Sequence, residues 1–141
     1  MSAKTFVDTN ILVYSRDASE PEKQRVAEAA LQELWKERRG ALSTQVLNEY
    51  FVTVTRKLDP GLNPDEAWDD IDALSSWEPL AIDYHLLREA FHIQMRYQLS
   101  WWDSLIVAAA DATNCEVILS EDLSAGQNYK GIEVVNPFAE A

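Results

Sequence analysis

Apolar and polar positions along the chain follow two periods, one near two residues and one near 3.6. Residues 4–7, KTFV, form a short β-type run that stops at Asp8. The next long segment, EPEKQRVAEAALQELWKERRG, is helical in period, with Val26, Ala30, Leu34 and Ala27, Leu31, Trp35 making one apolar stripe. Pro21 suits its first turn, acids crowd its start, and Arg38-Arg39-Gly40 closes it. ALST at 41–44 fits a second short strand. STQVLNEYFVTVTRK carries both periods: FVTVT alternates like a strand, but Val46, Leu47, Tyr50, Phe51 and Val54 share a helical face. The longer pattern favours helix. LDPGLNP is a turn, and Asn63-Pro64 opens a helix that runs to about Trp77. Further helices are predicted from about Asp83 to Tyr97 and from about Trp101 to Thr113, the second with Asn114 as C-cap. EVILS and GIEVVN read as strands. Strands alternating with helices predict an α/β fold with a mainly parallel central sheet.

Composition limits the possibilities further. The 141 residues, 47% hydrophobic and 26% charged, fit a single globular domain over 1–141. No apolar run reaches the roughly 18 residues of a membrane span, and the start, MSAKTFVDTN, lacks the apolar segment of a signal peptide. One cysteine, Cys115, allows no internal disulfide, which fits a cytoplasmic protein. It reads as a small core residue. The net charge is −12 and is unevenly spread. Residues 1–57 hold 9 basic and 8 acidic side chains, whereas residues 58–141 hold 3 and 16. Such a chain repels phosphates and attracts metal ions or basic proteins. Any phosphate-binding surface must draw on Arg16, Lys23, Arg25, Arg38, Arg39, Arg56 and Lys57.

Four acids stand where a fold of this kind builds its sites. Asp8 follows the first strand and Asp122 follows EVILS, and ligands of open α/β sheets bind beyond the carboxyl ends of the strands. Each also has a plain explanation as a turn residue or N-cap. Asp103 sits in LSWWDSLIVAAADA. Ser100 and Asp103 make an S-x-x-D capping box, yet two tryptophans and an apolar run surround the acid, and a buried carboxylate needs a partner. Glu49 lies on the polar side of its helix, where a solvated role is equally open. Together the four suggest a hard divalent ion. Clustered carboxylates otherwise repel, and Mg²⁺ or Mn²⁺ takes oxygen ligands and meets substrate phosphates. Hydrolysis of a phosphodiester is the chemistry such a site supports.

FVDTNILVY, STQVLNEYF, LSWWDSLIVAAA and ILSEDLSAGQNYKGIEVVNPF resemble, in order, the motifs of PIN-domain ribonucleases. More narrowly they resemble the VapC-type toxins of bacterial and archaeal toxin–antitoxin pairs. The resemblance implies a three-layer α/β/α sandwich and an acidic set at Asp8, Glu49, Asp103 and Asp122 that binds Mg²⁺ or Mn²⁺. Asp122 fits the last position through Ser120-Glu121-Asp122, and Glu121 is placed to assist. Thr9, Asn10 and Ser120 fall where the family lines its pocket with polar groups. RNA cleavage, homodimers and a cognate antitoxin that blocks the pocket with a basic side chain are implied as well. RNA backbone contacts are expected from Arg16, Arg38, Arg39, Arg56 and Lys57.

Other constellations are weaker. His85 and His92 lie two helical turns apart, too far for one ion. Trp35, Trp68 and Trp77 fit core-facing positions, while Trp101 and Trp102 flank Asp103, where one has the position to stack on a base. A phosphatase with Asp8 as nucleophile wants a second Asp two residues on, and the chain has Asn10. A catalytically silent binding module of the same fold would carry the same acids.

Overall fold

The computed structural model describes residues 3–139. Three buried residues, Thr5–Val7 (β1), lie between Gly40–Ala41 (β2) and Val117–Leu119 (β3) in a five-stranded sheet. Ile132–Val135 (β5) pairs with β3, and Asn128–Tyr129 (β4) closes the far edge, giving the order β2-β1-β3-β5-β4. The first four run parallel, and β4 is antiparallel, turning into β5 through Lys130 and Gly131, both at positive φ. Parallel strands need coverage on both faces, which is why β1 is buried throughout.

The helices are Thr9–Tyr14 (α1), Pro21–Glu37 (α2), Thr44–Arg56 (α3), Pro64–Leu74 (α4), Tyr84–Tyr97 (α5) and Trp101–Ala112 (α6), with one 3₁₀ turn at Ser75–Trp77. The α/β expectation holds, and the sheet is flanked by helices. α5 packs on α6, while α1 touches α2 and α3, and α3 touches α4. α6 is buried from Ser104 to Ala110 without a break, so it is a core helix and not an amphipathic one. Its apolar run serves that position.

Several starts and stops follow the sequence chemistry. Asn63 and Glu66 form a reciprocal capping box at α4, behind Pro64. Asp83 caps α5 by accepting from the Leu86 N–H. Thr113 caps the carboxyl end of α6, and Asn114 behind it takes the left-handed conformation. The ambiguous segment at 43–57 is the helix α3.

Other features depart from expectation. α1 and β4 were not marked by periodicity, because six and two residues are too short to show a period. Arg38, not Gly40, is the left-handed residue that ends α2. Gly40 is needed for another reason. A Cβ there would stand 2.3 Å from the Trp77 ring, so the glycine makes room for the indole. Trp35 and Trp68 are about half exposed and are not core residues, although Trp35 packs on Trp77 at 5.7 Å between ring centroids. Trp35 lines a groove with Leu12, Tyr50 and Ala73.

Candidate active site

The parallel register sets the site. β1 and β3 end side by side, with Val7 opposite Leu119, and the Asp8 N–H donates to the Leu119 carbonyl at 3.0 Å. Asp8 and Ser120 therefore leave the sheet together at its carboxyl edge. Ser120 Oγ donates to Asp8 Oδ2 at 2.7 Å and accepts from the Asp122 and Leu123 N–H groups. One buried hydroxyl thus fixes the first acid and the loop that carries the last. Asp8 is only 5% exposed. It also caps α1, its Oδ1 accepting from the Thr9 N–H at 2.7 Å.

The other acids arrive from separate elements. Thr9 Oγ1 donates to Glu49 Oε1 at 2.7 Å, which ties the first turn of α1 to α3. Gln45 Nε2, one turn earlier on α3, donates to Glu49 Oε2 at 3.3 Å. Asn10 is a hub: its Nδ2 donates to Asp122 Oδ2 at 3.2 Å and its Oδ1 accepts from the Glu121 N–H at 3.0 Å. Asp103 is half-buried in the first turn of α6. Ser100 Oγ accepts from the Asp103 N–H at 3.1 Å, so the cap uses the peptide group of Asp103.

Electrostatics link the four. Burial pushes the Asp8 carboxyl up to about 6; the bonds from Ser120 and Thr9 pull it down, and Asp122 and Asp103 push it up again. Asp103 is raised by burial, lowered by Ser100, and raised by Asp122 and Glu49. Glu121 differs. Burial pushes it up, but bonds from Lys23 Nζ at 2.5 Å and Tyr14 Oη at 2.8 Å outweigh that and hold it below the usual range. Among the described residues, no three acid, cysteine or imidazole side chains stand close enough to hold one ion together. The donor set is nonetheless all oxygen, and the acids repel one another at short range. That fits a hard divalent ion, which takes few protein carboxylates and keeps its waters.

Thr9, Asn10 and Ser120 are brought to the acids, as expected of them. The cations are divided. Arg16 is bound bidentately to Asp70, which also receives the Tyr50 hydroxyl, so it ties α1 to α3 and α4. Arg39 is engaged by Glu37 and by the Ala3 carbonyl, and its own carbonyl meets Thr5 at the amino end of β1. Arg38 and Arg39 therefore lie at the end of the sheet opposite Asp8. Lys57 lines the acidic groove with Asn10, Glu49 and Asp122, and Arg56 is exposed beside it in sequence. His85 and His92 are exposed on α5, away from the acids. Sequence reasoning does not single out Gln45 or Tyr14, and it offers Lys23 only to a phosphate-binding surface, whereas Lys23 pairs with Glu121. Only Gln45 gave a signal, four residues before Glu49 on one helix.

The family model for the PIN domain matches residues 5–129. Among solved structures, the fold is similar to a toxin–antitoxin complex from Klebsiella pneumoniae, at TM-score 0.67 and 21% identity over 95% of this chain and 98% of that one. It is also similar to a sarcin–ricin loop cleaving VapC toxin from Mycobacterium tuberculosis, at TM-score 0.59 and 16% identity over 84% and 89% of the two chains. A VapBC assembly from Rickettsia felis bound to promoter DNA gives TM-score 0.61 and 17% identity over 92% and 96%. A comparison with curated protein sequences gives no match. With its sheet order, its carboxylates at the strand ends and a family model spanning most of its length, the chain belongs to the PIN-domain family.

Proposed function

We propose that this protein is a Mg²⁺- or Mn²⁺-dependent endoribonuclease and the toxin of a type II toxin–antitoxin pair. The observation that supports the reading is that Asp8, Glu49, Asp103 and Asp122, from four parts of the chain, come near enough for Asp122 and Asp103 to raise Asp8 and for Asp122 and Glu49 to raise Asp103. Asp8, Glu49, Asp103 and Asp122 would hold the ion, in part through its waters, since no three of them stand close enough to bind it directly together. The ion, when bound, supplies the Lewis acidity that activates water and stabilises charge on the phosphoryl oxygens. The chain's own groups do the positioning. Ser120 and Thr9 fix the Asp8 carboxylate, Asn10 orients Asp122, and Thr9 with Gln45 aims Glu49. Glu121 lines the same groove as Asp122 but is paired with Lys23, which leaves Asp122 the less neutralised of the two. Asn10 is committed to the Asp122 loop, which disfavours the phosphatase reading.

Toxin–antitoxin complexes among the structural neighbours support an antitoxin partner. A basic antitoxin side chain seated among the acids would both neutralise and block them. Among the described residues no helix is long and apolar enough to cross a membrane. A cytoplasmic location rests on the single buried thiol, Cys115.

The test is cleavage of a panel of structured RNAs by antitoxin-free protein with Mg²⁺ or Mn²⁺. Wild type is expected to cut, with Asp8→Asn and Asp103→Asn slower by about 10²-fold or more, as when a charge-stabilising group is removed from an active site. Metal-independent cutting, or no loss in either variant, overturns the reading. Loss in Asp8→Asn alone would leave Asp103 as a helix-start residue only.

A further inference from the structure

A second groove opens beside the acids, between α3 and the amino end of α6, and encloses about 730 Å³. That lies within the roughly 300–1,000 Å³ of small-ligand sites. Glu49, Thr53 and Lys57 line both this groove and the acidic one, so the two are continuous. We propose that it is a nucleobase subsite, seating one base of a single-stranded RNA whose neighbouring phosphodiester lies at the acids. The proposal rests on the nuclease reading and adds the form in which that substrate is held.

Three features favour a base over other occupants. Trp102 is 61% exposed at the start of a helix that is buried from Ser104 to Ala110, and Val52 and Leu87 add apolar wall beside it. An exposed indole flanked by aliphatic side chains offers a stacking platform to any base, whatever its identity. Trp101, by contrast, packs partly against the core. Gln45, 92% buried in the groove wall, is the second feature. Its Nε2 donates to both Glu49 Oε2 and the Trp102 carbonyl, which fixes the amide orientation, since a flip would set oxygen against two acceptors. Its Oε1 is buried behind the groove wall and has no partner among the described residues, so a base reaches it only as that wall gives way. Every nucleobase carries an N–H on its pairing edge that such an acceptor can take. Lys57 is the third. Among the described residues it makes no ion pair, and it stands at the junction of the two grooves, where the backbone phosphate between base and scissile bond would pass. A purely apolar protein segment would cover Trp102 but leave Gln45 Oε1 and Lys57 unanswered.

The experiment pairs binding with cleavage. Binding of a labelled ten-nucleotide single-stranded RNA is measured in an Asp8→Asn background, with Trp102→Ala, Trp102→Phe, Gln45→Met and Lys57→Ala added singly. Circular dichroism and sedimentation check fold and oligomeric state. Trp102→Ala is expected to weaken binding by about tenfold, within the range of one lost stack, and Trp102→Phe to restore most of it. Gln45→Met should weaken binding while keeping the fold. Lys57→Ala should lower the slope of log affinity against log salt by about 1. With Asp8 restored, the Trp102→Ala change should appear in KM more than in kcat. Unchanged binding and KM in a cutting enzyme overturn the subsite and leave the nuclease standing. A Trp102→Ala protein that only loses self-association, with RNA binding intact, overturns it in favour of an interface between copies. RNA binding that depends on Trp102 in a wild type that cuts nothing would support the subsite while the nuclease reading falls.

Discussion

Asp8 shows how one residue carries two roles that pull against each other. It starts α1 and it is buried beside other acids, so its carboxyl is raised from 3.8 to about 6. A carboxyl raised in the fold favours the protonated form. The stability it contributes is present below about pH 4 and is lost as pH rises through 6. Asp8→Asn removes that loss. Without metal at pH 7.5 the variant should be more stable than wild type, by up to about 3 kcal/mol for a shift of this size. The gap should close at pH 4, and Mg²⁺ should raise the melting temperature of wild type only. Thermal melts in chelator at the two pH values check this. A variant that melts lower at pH 7.5 would mean that the Ser120 and Thr9 bonds outweigh the buried charge. The acids were legible because each interrupts an apolar context: Asp8 and Asp122 at strand ends, Asp103 against its apolar run. The capping box at Ser100 was legible too, and the structure divides it, the N–H of Asp103 going to the cap while its carboxyl feels Asp122 and Glu49. The pairing of Lys23 with Glu121 was not legible, since 98 residues separate them and neither has a local pattern.

At the scale of elements, the long helices were readable from period and caps, whereas α1 was not. Its six residues, TNILVY, continue the apolar character of β1 and contain too few turns to show a stripe. On α5, Tyr84, Phe91 and Met95 share one helical face and are exposed, the first at 73%. The chain itself covers the other face with Leu86, Ala90 and Ile93. An exposed apolar face of this kind fits a protein interface, and in the proposed homodimer an identical face would cover it. Phe91→Glu should convert the dimer to a monomer by sedimentation while leaving the circular dichroism unchanged. A variant that still sediments as wild type would place the self-contact elsewhere.

Across the whole molecule, charge decides what can approach. The net −12 is concentrated after residue 57, in the part of the chain that carries Asp103 and Asp122. Four of the nine first-half cations are already paired with acids of the chain: Arg16 with Asp70, Lys23 with Glu121, Arg25 with Glu22 and Arg39 with Glu37. A basic antitoxin segment would therefore be drawn to this surface from a distance. Association with the cognate antitoxin should slow by about tenfold or more between low and high salt, as for other steered pairs. Stopped-flow rates that ignore salt would sink that reading. Sequence gave the sign of this field but not its layout, because which arginine meets which acid depends on strand order. That order, β2-β1-β3-β5-β4, is set by crossovers with no local signature.

The sheet has one more consequence. Its two border strands, β2 and β4, are only two residues long each. A visiting strand would find almost no ladder to extend, so growth by backbone pairing is closed to this molecule. What joins it, a second copy or an inhibitor, would then do so through side chains of its helices and strand-end loops. Partner choice is then written in residues that substitute freely without disturbing the hydrogen-bonded frame, and new pairings can arise one surface position at a time.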